Sequence, residues 1–294
     1  MSDQFVQQAS PDEIFAALSN DTRVAILQAL QAADSRAASF SDLRAAVGVD
    51  DPGQFNYHLG KLTGRFVAKT DAGYRLTQAG KQMAGALASG AYTVAGSIEP
   101  ITLASPCQAC GDVQTLRYED ETVRVDCNSC SHTTAFAVPP AVLADCARAD
   151  VPDVASRYLR ATIRLQYNGF CWYCNGPIES TVGSAAALGL SAAAVPEAFG
   201  EPDSVPWVQF DCPRCGATAS AGLAGVLLAH PAVAGFYYEH GIDVHDQHVW
   251  AFPPLDSVAS TVPDCESVAA RVVYREDGDE CPIAVDEQLA VVDV

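Results

Sequence analysis

Eight of the eleven cysteines stand in four Cys-x-x-Cys pairs: Cys107/Cys110, Cys127/Cys130, Cys171/Cys174 and Cys212/Cys215. A turn carrying two thiolates three positions apart grips one ion from two corners, and two such turns complete a tetrahedron of soft donors. Sixteen residues separate the first two pairs, within the usual spacing of a four-cysteine zinc site. Between them VQTLRYE and TVRVDC alternate as strands do, so the first set reads as a zinc ribbon holding one structural Zn²⁺. A disulfide pair or an iron–sulfur cluster is the alternative occupant. The other two pairs are 37 residues apart, and a weakly patterned insert over 182–204 accounts for the excess. They read as a second structural zinc site.

The start of the chain, MSDQFVQQASPDE, has no basic region followed by an apolar one, so it is not read as a signal peptide. The expected compartment is the reducing cytoplasm, where paired cysteines serve as ligands before they serve as disulfides. A catalytic zinc keeps an open position and recruits His, Asp or Glu, and two closed four-cysteine sets leave none. There is no Gly-rich phosphate loop and no Gly-x-Ser-x-Gly, so no enzyme is expected. His230, His240, His245 and His248 gather near the end. They read as surface and helix-end histidines, with a third metal site as the alternative. Cys146, Cys265 and Cys281 stand alone and read as small buried apolar residues.

The second chemistry lies in the stretch FNYHLGKL at Phe55–Leu62. At 100° per residue, Phe55, Leu59 and Leu62 fall on one side of a helix, Gln54, Tyr57 and Lys61 on the other, and Asn56 and His58 on the flanks. An amide, a phenol and an ammonium presented together can hydrogen-bond base edges and phosphates in a major groove. The next two short strands, RFVAKT and GYRLT, offer Arg65, Lys69 and Arg75 for phosphate contact.

These groups need a scaffold, and the punctuation supplies one. Ser10, Pro11 and Glu13 spell a capped helix start, with Ile14, Phe15 and Leu18 as its buried stripe. Asn20 opens a second helix, Ser41 a third that stops at Gly48, and Pro52 a fourth. A hairpin and a last helix come after it. Three helices, a turn, a helix, a hairpin and a helix make a winged helix-turn-helix over 1–96. Residues 97–140 form the first ribbon. A helical connector over 141–168 shows Val154, Tyr158, Ala161 and Leu165 along one face. The second ribbon with its insert spans 169–222, and a C-terminal α+β region with an Asp277-Gly278 turn spans 223–294. The fold class is α+β.

Charge is divided along the same line. The chain of 294 residues carries a formal net charge of −19. Residues 1–90 hold eight basic and nine acidic side chains, whereas residues 91–294 hold nine basic and 27 acidic. Lysine occurs only at positions 61, 69 and 81, while Asp, Glu and Ala abound. That pattern suits a halophilic protein in molar salt, where the Debye length is about 3 Å and self-repulsion is screened. No apolar run is long enough to span a membrane.

Residues 11–90 resemble the ArsR-type winged-helix transcriptional regulators. EIFAALSNDTRVAILQAL is similar to the family's two opening helices and FNYHLGKL to its recognition helix. The closer likeness is to ArsR-like regulators of salt-loving archaea with a Cys-rich C-terminal region. The resemblance implies double-stranded DNA as partner, with Gln54, Asn56, Tyr57, His58 and Lys61 facing bases and phosphates. It also implies a homodimer through the first and last helices. With no Cys before position 107 and no His near 77–95, the family's metal-sensing sites are not expected. The C-terminal region would contact a small-molecule effector or a protein partner. Two rival readings keep the same residues: a general transcription factor E-like protein docking on RNA polymerase, and a zinc-organised interaction module that does not touch DNA.

Overall fold

The structure is a computed structural model describing residues 10–33, 37–90, 92–190, 195, 200–251, 257–258 and 268–293. The chain divides into two compact units, residues 1–94 and 95–294. It is a mixed α+β protein with four small antiparallel sheets among the described residues.

The first unit runs α1 (Pro11–Leu18), α2 (Asp21–Ala32), α3 (Phe40–Val47), α4 (Pro52–Leu62), β1 (Val67–Thr70), β2 (Gly73–Leu76) and α5 (Gln78–Ala88). Polar side chains start the helices by accepting otherwise unpaired backbone N–H groups. Asn20 accepts from Arg23 N, Asp51 from Gly53 N and Thr77 from Gly80 N. Ser10 forms no such bond, so the expected capping box is not made. Ser39 rather than Ser41 caps α3, because Ala38 is held extended by a bridge to Tyr74 and the helix begins directly after it. That bridge needs Gly73, where a Cβ would lie 2.3 Å from the Ala38 carbonyl oxygen.

Ile26, Leu27, Leu30, Leu43, Phe55, Leu59, Leu62, Phe66, Val67 and Leu76 form the core of this unit. The expected stripe on α1 is met in part: Ile14 and Leu18 pack half-buried against this core, whereas Phe15 is 69% exposed.

The second unit opens with β3 (Ile98–Pro106), β4 (Val113–Glu119), β5 (Thr122–Cys127) and β6 (Thr133–Ala137), paired in that order. Asp120 and Glu121, both at positive φ, make the two-residue turn between β4 and β5. Next come α6 (Pro140–Leu143), α7 (Val151–Tyr167), β7 (Glu179–Ser184), β8 (Pro206–Asp211), β9 (Thr218–Gly222), α8 (Leu223–Leu227) and α9 (Pro231–Glu239). A short 3-10 turn, Val249–Ala251, leads to β10 (Ser257–Val258), β11 (Ala270–Glu276), β12 (Asp279–Val285) and β13 (Val291–Asp293). The expected turn joins β11 to β12, with Asp277 at φ 50 and Gly278 at φ 91.

Two cores result. Leu103, Leu116, Val123, Val125 and Trp250 pack with Val151 and Ala155 of α7. Val182, Val208 and Phe210 of the β7–β9 sheet pack against Val226, Tyr237, Val272, Tyr274, Ile283 and Val285. The second ribbon and the C-terminal region therefore share one core. Helix α7 serves both cores, with Val151 and Ala155 in the first and Ile163 against the second. Of the expected stripe, Val154 and Tyr158 pack half-buried against the first core, Leu165 is half-buried and Ala161 is exposed. No helix of the described residues is long and apolar enough to cross a membrane.

All three tryptophans, Trp172, Trp207 and Trp250, lie in the second unit. Leu59→Ala removes a fully buried side chain from α4 and should cost about 2–5 kcal/mol. In the intact chain it should lower the helical circular-dichroism transition and leave the tryptophan-fluorescence transition in place. Tyr57→Ala, whose ring is 59% exposed, should move neither.

Candidate metal centres and a candidate nucleic-acid interface

The four knuckles are built alike although their sequences differ. In each, the N–H of the first cysteine donates to the carbonyl five residues on: Cys107 to Asp112 at 2.7 Å, Cys127 to His132 at 2.9 Å, Cys171 to Gly176 at 2.8 Å and Cys212 to Ala217 at 2.9 Å. Three of the turns pass through the left-handed region one residue after the second cysteine, at Gly111, Asn175 and Gly216. In the third knuckle Asn175, at φ 53, takes this place rather than Gly176. Gly176 answers a different need: a Cβ there would come within 3.0 Å of the Cys174 sulfur and 3.1 Å of the Arg214 side chain.

Folding brings the knuckles together in the expected pairs. Cys107, Cys110, Cys127 and Cys130 form one group and Cys171, Cys174, Cys212 and Cys215 another, each with sulfurs within 4.8 Å of one another. Cys107 and Cys130 sulfurs are 3.7 Å apart, and Cys110 and Cys127 3.4 Å. In the second group Cys171 and Cys215 are 3.6 Å apart, and Cys174 and Cys212 3.5 Å. Four sulfurs at about 2.3 Å from a tetrahedral zinc would stand about 3.8 Å from one another. A disulfide needs about 2.05 Å. Both groups therefore fit a closed tetrahedral ion. Among the described residues no other cluster brings three or more candidate ligand atoms so close.

Backbone N–H groups also aim at the sulfurs: Ser129 at Cys127 and Tyr173 at Cys171, both at 3.4 Å, and Gly176 at Cys174 at 3.3 Å. Burial works to raise the Cys127 thiol, but the Ser129 and Cys130 N–H groups and two neighbouring thiols outweigh it and bring it to about 7. Cys212 reaches about 7 in the same way, with the Cys215 and Arg214 N–H groups opposing burial. For Cys215 the Ala217 N–H pulls down, but burial and three neighbouring thiols push it up to about 12. Without an ion, one thiolate in each group is favoured at the expense of its neighbours.

One neighbour was missed in the sequence. His132 is 8% exposed, and its Nδ1 lies 3.4 Å from the Cys107 sulfur. Its position two residues after Cys130 was the available signal. The second group has no histidine counterpart. The clustered C-terminal histidines do not converge. His230 caps α9, His240 binds Phe236 O and Asp279, and His248 pairs with Asp153 at 2.7 Å. Cys146 and Cys281 are half-buried at core edges rather than fully buried. Cys265 lies outside the described residues.

On α4, Phe55, Leu59 and Leu62 are fully buried, Gln54, Asn56, Tyr57 and Lys61 are exposed, and His58 is half-buried. The Lys61 ammonium sits 5.5 Å over the Tyr57 ring, and the His58 ring meets that ring edge-on at 5.3 Å. Arg65, Lys69 and Arg75 are exposed. The hairpin register pairs Lys69 with Tyr74 and Ala68 with Arg75. Neighbouring positions of a strand point to opposite faces, so Lys69 and Arg75 leave the ribbon on opposite sides.

The model of a family described as a domain of unknown function, DUF7351, matches residues 104–291. The chain belongs to that family. The DUF7351 region takes in all eight paired cysteines and most of the two large cores of the second unit. Residues 11–87 match a second model, also a domain of unknown function, DUF7347. No curated protein and no solved structure matches the chain.

Purified, reduced protein should carry about two divalent ions per chain, since each closed set of four thiolates holds one. Cys107→Ser and Cys212→Ser should each remove about one, measured by elemental mass spectrometry. Acid should release both, because protons compete for thiolates: loading should be complete at pH 8 and fall as the pH drops below about 7.

Proposed function

We propose that the protein is a sequence-specific, DNA-binding transcriptional regulator whose first unit is a winged helix-turn-helix. In this reading α3 and α4 form the helix-turn-helix, α4 enters the major groove and the β1–β2 hairpin is the wing. The observation that carries it is the surface running from α4 into β1. Residues 52–70 hold Lys61, Arg65 and Lys69 and not one acidic side chain, in a chain of net charge −19. That stretch displays Gln54, Asn56 and Tyr57 from a helix whose other face is locked into the core by Phe55, Leu59 and Leu62. Such a helix can present an amide and a phenol to base edges without disturbing its own packing.

The two four-cysteine groups, in this reading, hold structural Zn²⁺, the natural ion for a closed tetrahedron of thiolates. The ion supplies folding energy and no open coordination position. The acidic composition of the second unit fits a protein of high-salt cytoplasm. Counterion release contributes little to DNA affinity there, so binding leans on base contacts and shape.

Selection of random duplexes by the purified protein should enrich one roughly palindromic motif. Tyr57→Ala and Gln54→Ala should each lose about 1–3 kcal/mol of discrimination for it. Lys69→Ala and Arg75→Ala, tested separately because they leave the hairpin on opposite sides, should weaken all sequences alike and flatten the salt dependence. Absence of any enriched motif would overturn the reading in favour of polymerase docking.

The exposed apolar side chains Phe15 on α1, at 69%, and Tyr92 and Val94 just beyond α5, at 78% and 53%, support a homodimer through residues 11–19 and 77–95. Light scattering in molar potassium chloride should give twice the chain mass, and Phe15→Asp should return the monomer. A wild-type monomer at high protein concentration would refute the dimer.

A further inference from the structure

A cavity of about 80 Å³ lies between α7, the α8–α9 turn and the Val249–Ala251 segment. Its apolar wall is made by Ile163, Val226, Leu228 and Val249. Its polar wall is made by Arg160, Arg164 and His230. No carboxylate lines it, although residues 91–294 hold 27 acidic side chains and only nine basic ones. Two of those nine are thus spent on one small cavity.

The arginines stand four residues apart on α7, a spacing at which like charges repel. Neither is in an ion pair among the described residues. Instead each guanidinium is held by a backbone carbonyl: Arg160 donates to Gln247 O at 2.5 Å, and Arg164 to the O of Ala229, a cavity residue, at 3.3 Å. One bond each leaves most of the five N–H donors of a guanidinium unspent. Arg160 is also partly desolvated, which pulls it below the usual guanidinium range against the opposing field of Asp243 and Asp246. A charge held out of water beside a second like charge gains from an anion placed between them. His230 adds to the set. Its Nδ1 accepts from Ala232 N–H at 3.3 Å, so the neutral ring carries its proton on Nε2.

The size of the cavity limits what can enter. About 10–15 Å³ on this scale holds one water, so 80 Å³ has room for about six non-hydrogen atoms. A nucleotide is too large. An inorganic anion would satisfy the arginines and leave the apolar wall uncovered. We propose that this cavity binds a short-chain monocarboxylate, its carboxylate between Arg160 and Arg164 and its aliphatic tail against Ile163, Val226 and Val249. The proposal does not depend on DNA binding by the first unit.

Titration calorimetry on the full, metal-loaded chain at constant ionic strength tests it. The probes are propionate, butyrate, isovalerate and octanoate, with butyramide and inorganic phosphate beside them. Butyrate and isovalerate should bind with Kd of about 1 mM or tighter. Octanoate, too long for the cavity, and uncharged butyramide should each bind at least about tenfold more weakly. Arg160→Gln and Arg164→Gln should each weaken butyrate binding by a similar factor, with metal content and tryptophan emission unchanged. Gly225 borders the cavity, and a Cβ built there meets nothing within 4 Å. Gly225→Leu should therefore fold normally and abolish binding with both arginines kept. The proposal is overturned if no carboxylate gives a saturable signal, or if butyramide matches butyrate. Phosphate binding as tightly as butyrate would also sink it, since that marks an inorganic-anion site. So would butyrate binding that survives Gly225→Leu.

Discussion

Four cysteine sulfurs within 4.8 Å of one another cannot all stay ionised on their own. Each pair of unit charges about 4 Å apart repels by about 4 kcal/mol at the effective dielectric of a protein surface. The second unit asks for this arrangement twice, in a segment that already carries 27 acidic side chains against nine basic ones. A divalent ion in each group would remove the conflict, and the local geometry suits one. The first group ties the turn between β3 and β4 to the turn between β5 and β6. The second ties the start of the β7–β9 sheet, just after α7, to the β8–β9 turn. Since α7 packs into both cores through Val151, Ala155 and Ile163, the two tied ends are joined by a stiff element rather than a loose linker.

The four knuckles show how narrow the backbone requirement is. Gln-Ala, Asn-Ser, Trp-Tyr and Pro-Arg all fit between the paired cysteines, because the turn is set by the main-chain bond from residue i to i+5 and not by these side chains. What the turn does demand is a left-handed residue after the second cysteine in three cases, and Asn175 meets that demand as well as glycine does. Asn is one of the few non-glycine residues that tolerate this region.

Local signals were therefore legible in the sequence, and non-local ones were not. The cysteine grouping, the helix-to-hairpin order of the first unit, the buried face of α4 and the Asp277-Gly278 turn each depend on a few neighbouring residues. The sharing of one core by the β7–β9 and β10–β13 sheets depends on which apolar faces meet across some 60 residues, and alternation along a strand says only that a face is buried. The same gap explains α1. Ile14 and Leu18 reach the core edge as their period implies, but the period does not say what covers Phe15. His132 escaped because a histidine near a four-cysteine set is superfluous to the ligand count, so only its 3.4 Å approach to Cys107 shows that it matters. The arginine-lined cavity escaped for a related reason. Arg160 and Arg164 look like the solvated side of a helix until the α8–α9 turn is folded over them.

Charge placement binds these observations together. Acidic side chains are unevenly placed: none falls within residues 52–70, and none lines the cavity. The acid-free stretch over 52–70 coincides with a helix whose exposed face is rich in hydrogen-bonding groups; residues 72–98, 154–178 and 212–238 are free of acidic side chains as well. In the proposed molar-salt setting exposed charges are screened within about 3 Å, so distant acid would neither help nor hinder either place. Short-range contacts are left to decide. A guanidinium half-removed from water, or a phenol held on a rigid helix, keeps its strength under those conditions because little of its interaction passes through solvent. An acidic protein can thus keep anion-seeking surfaces, provided that they are small, rigid and locally free of carboxylates.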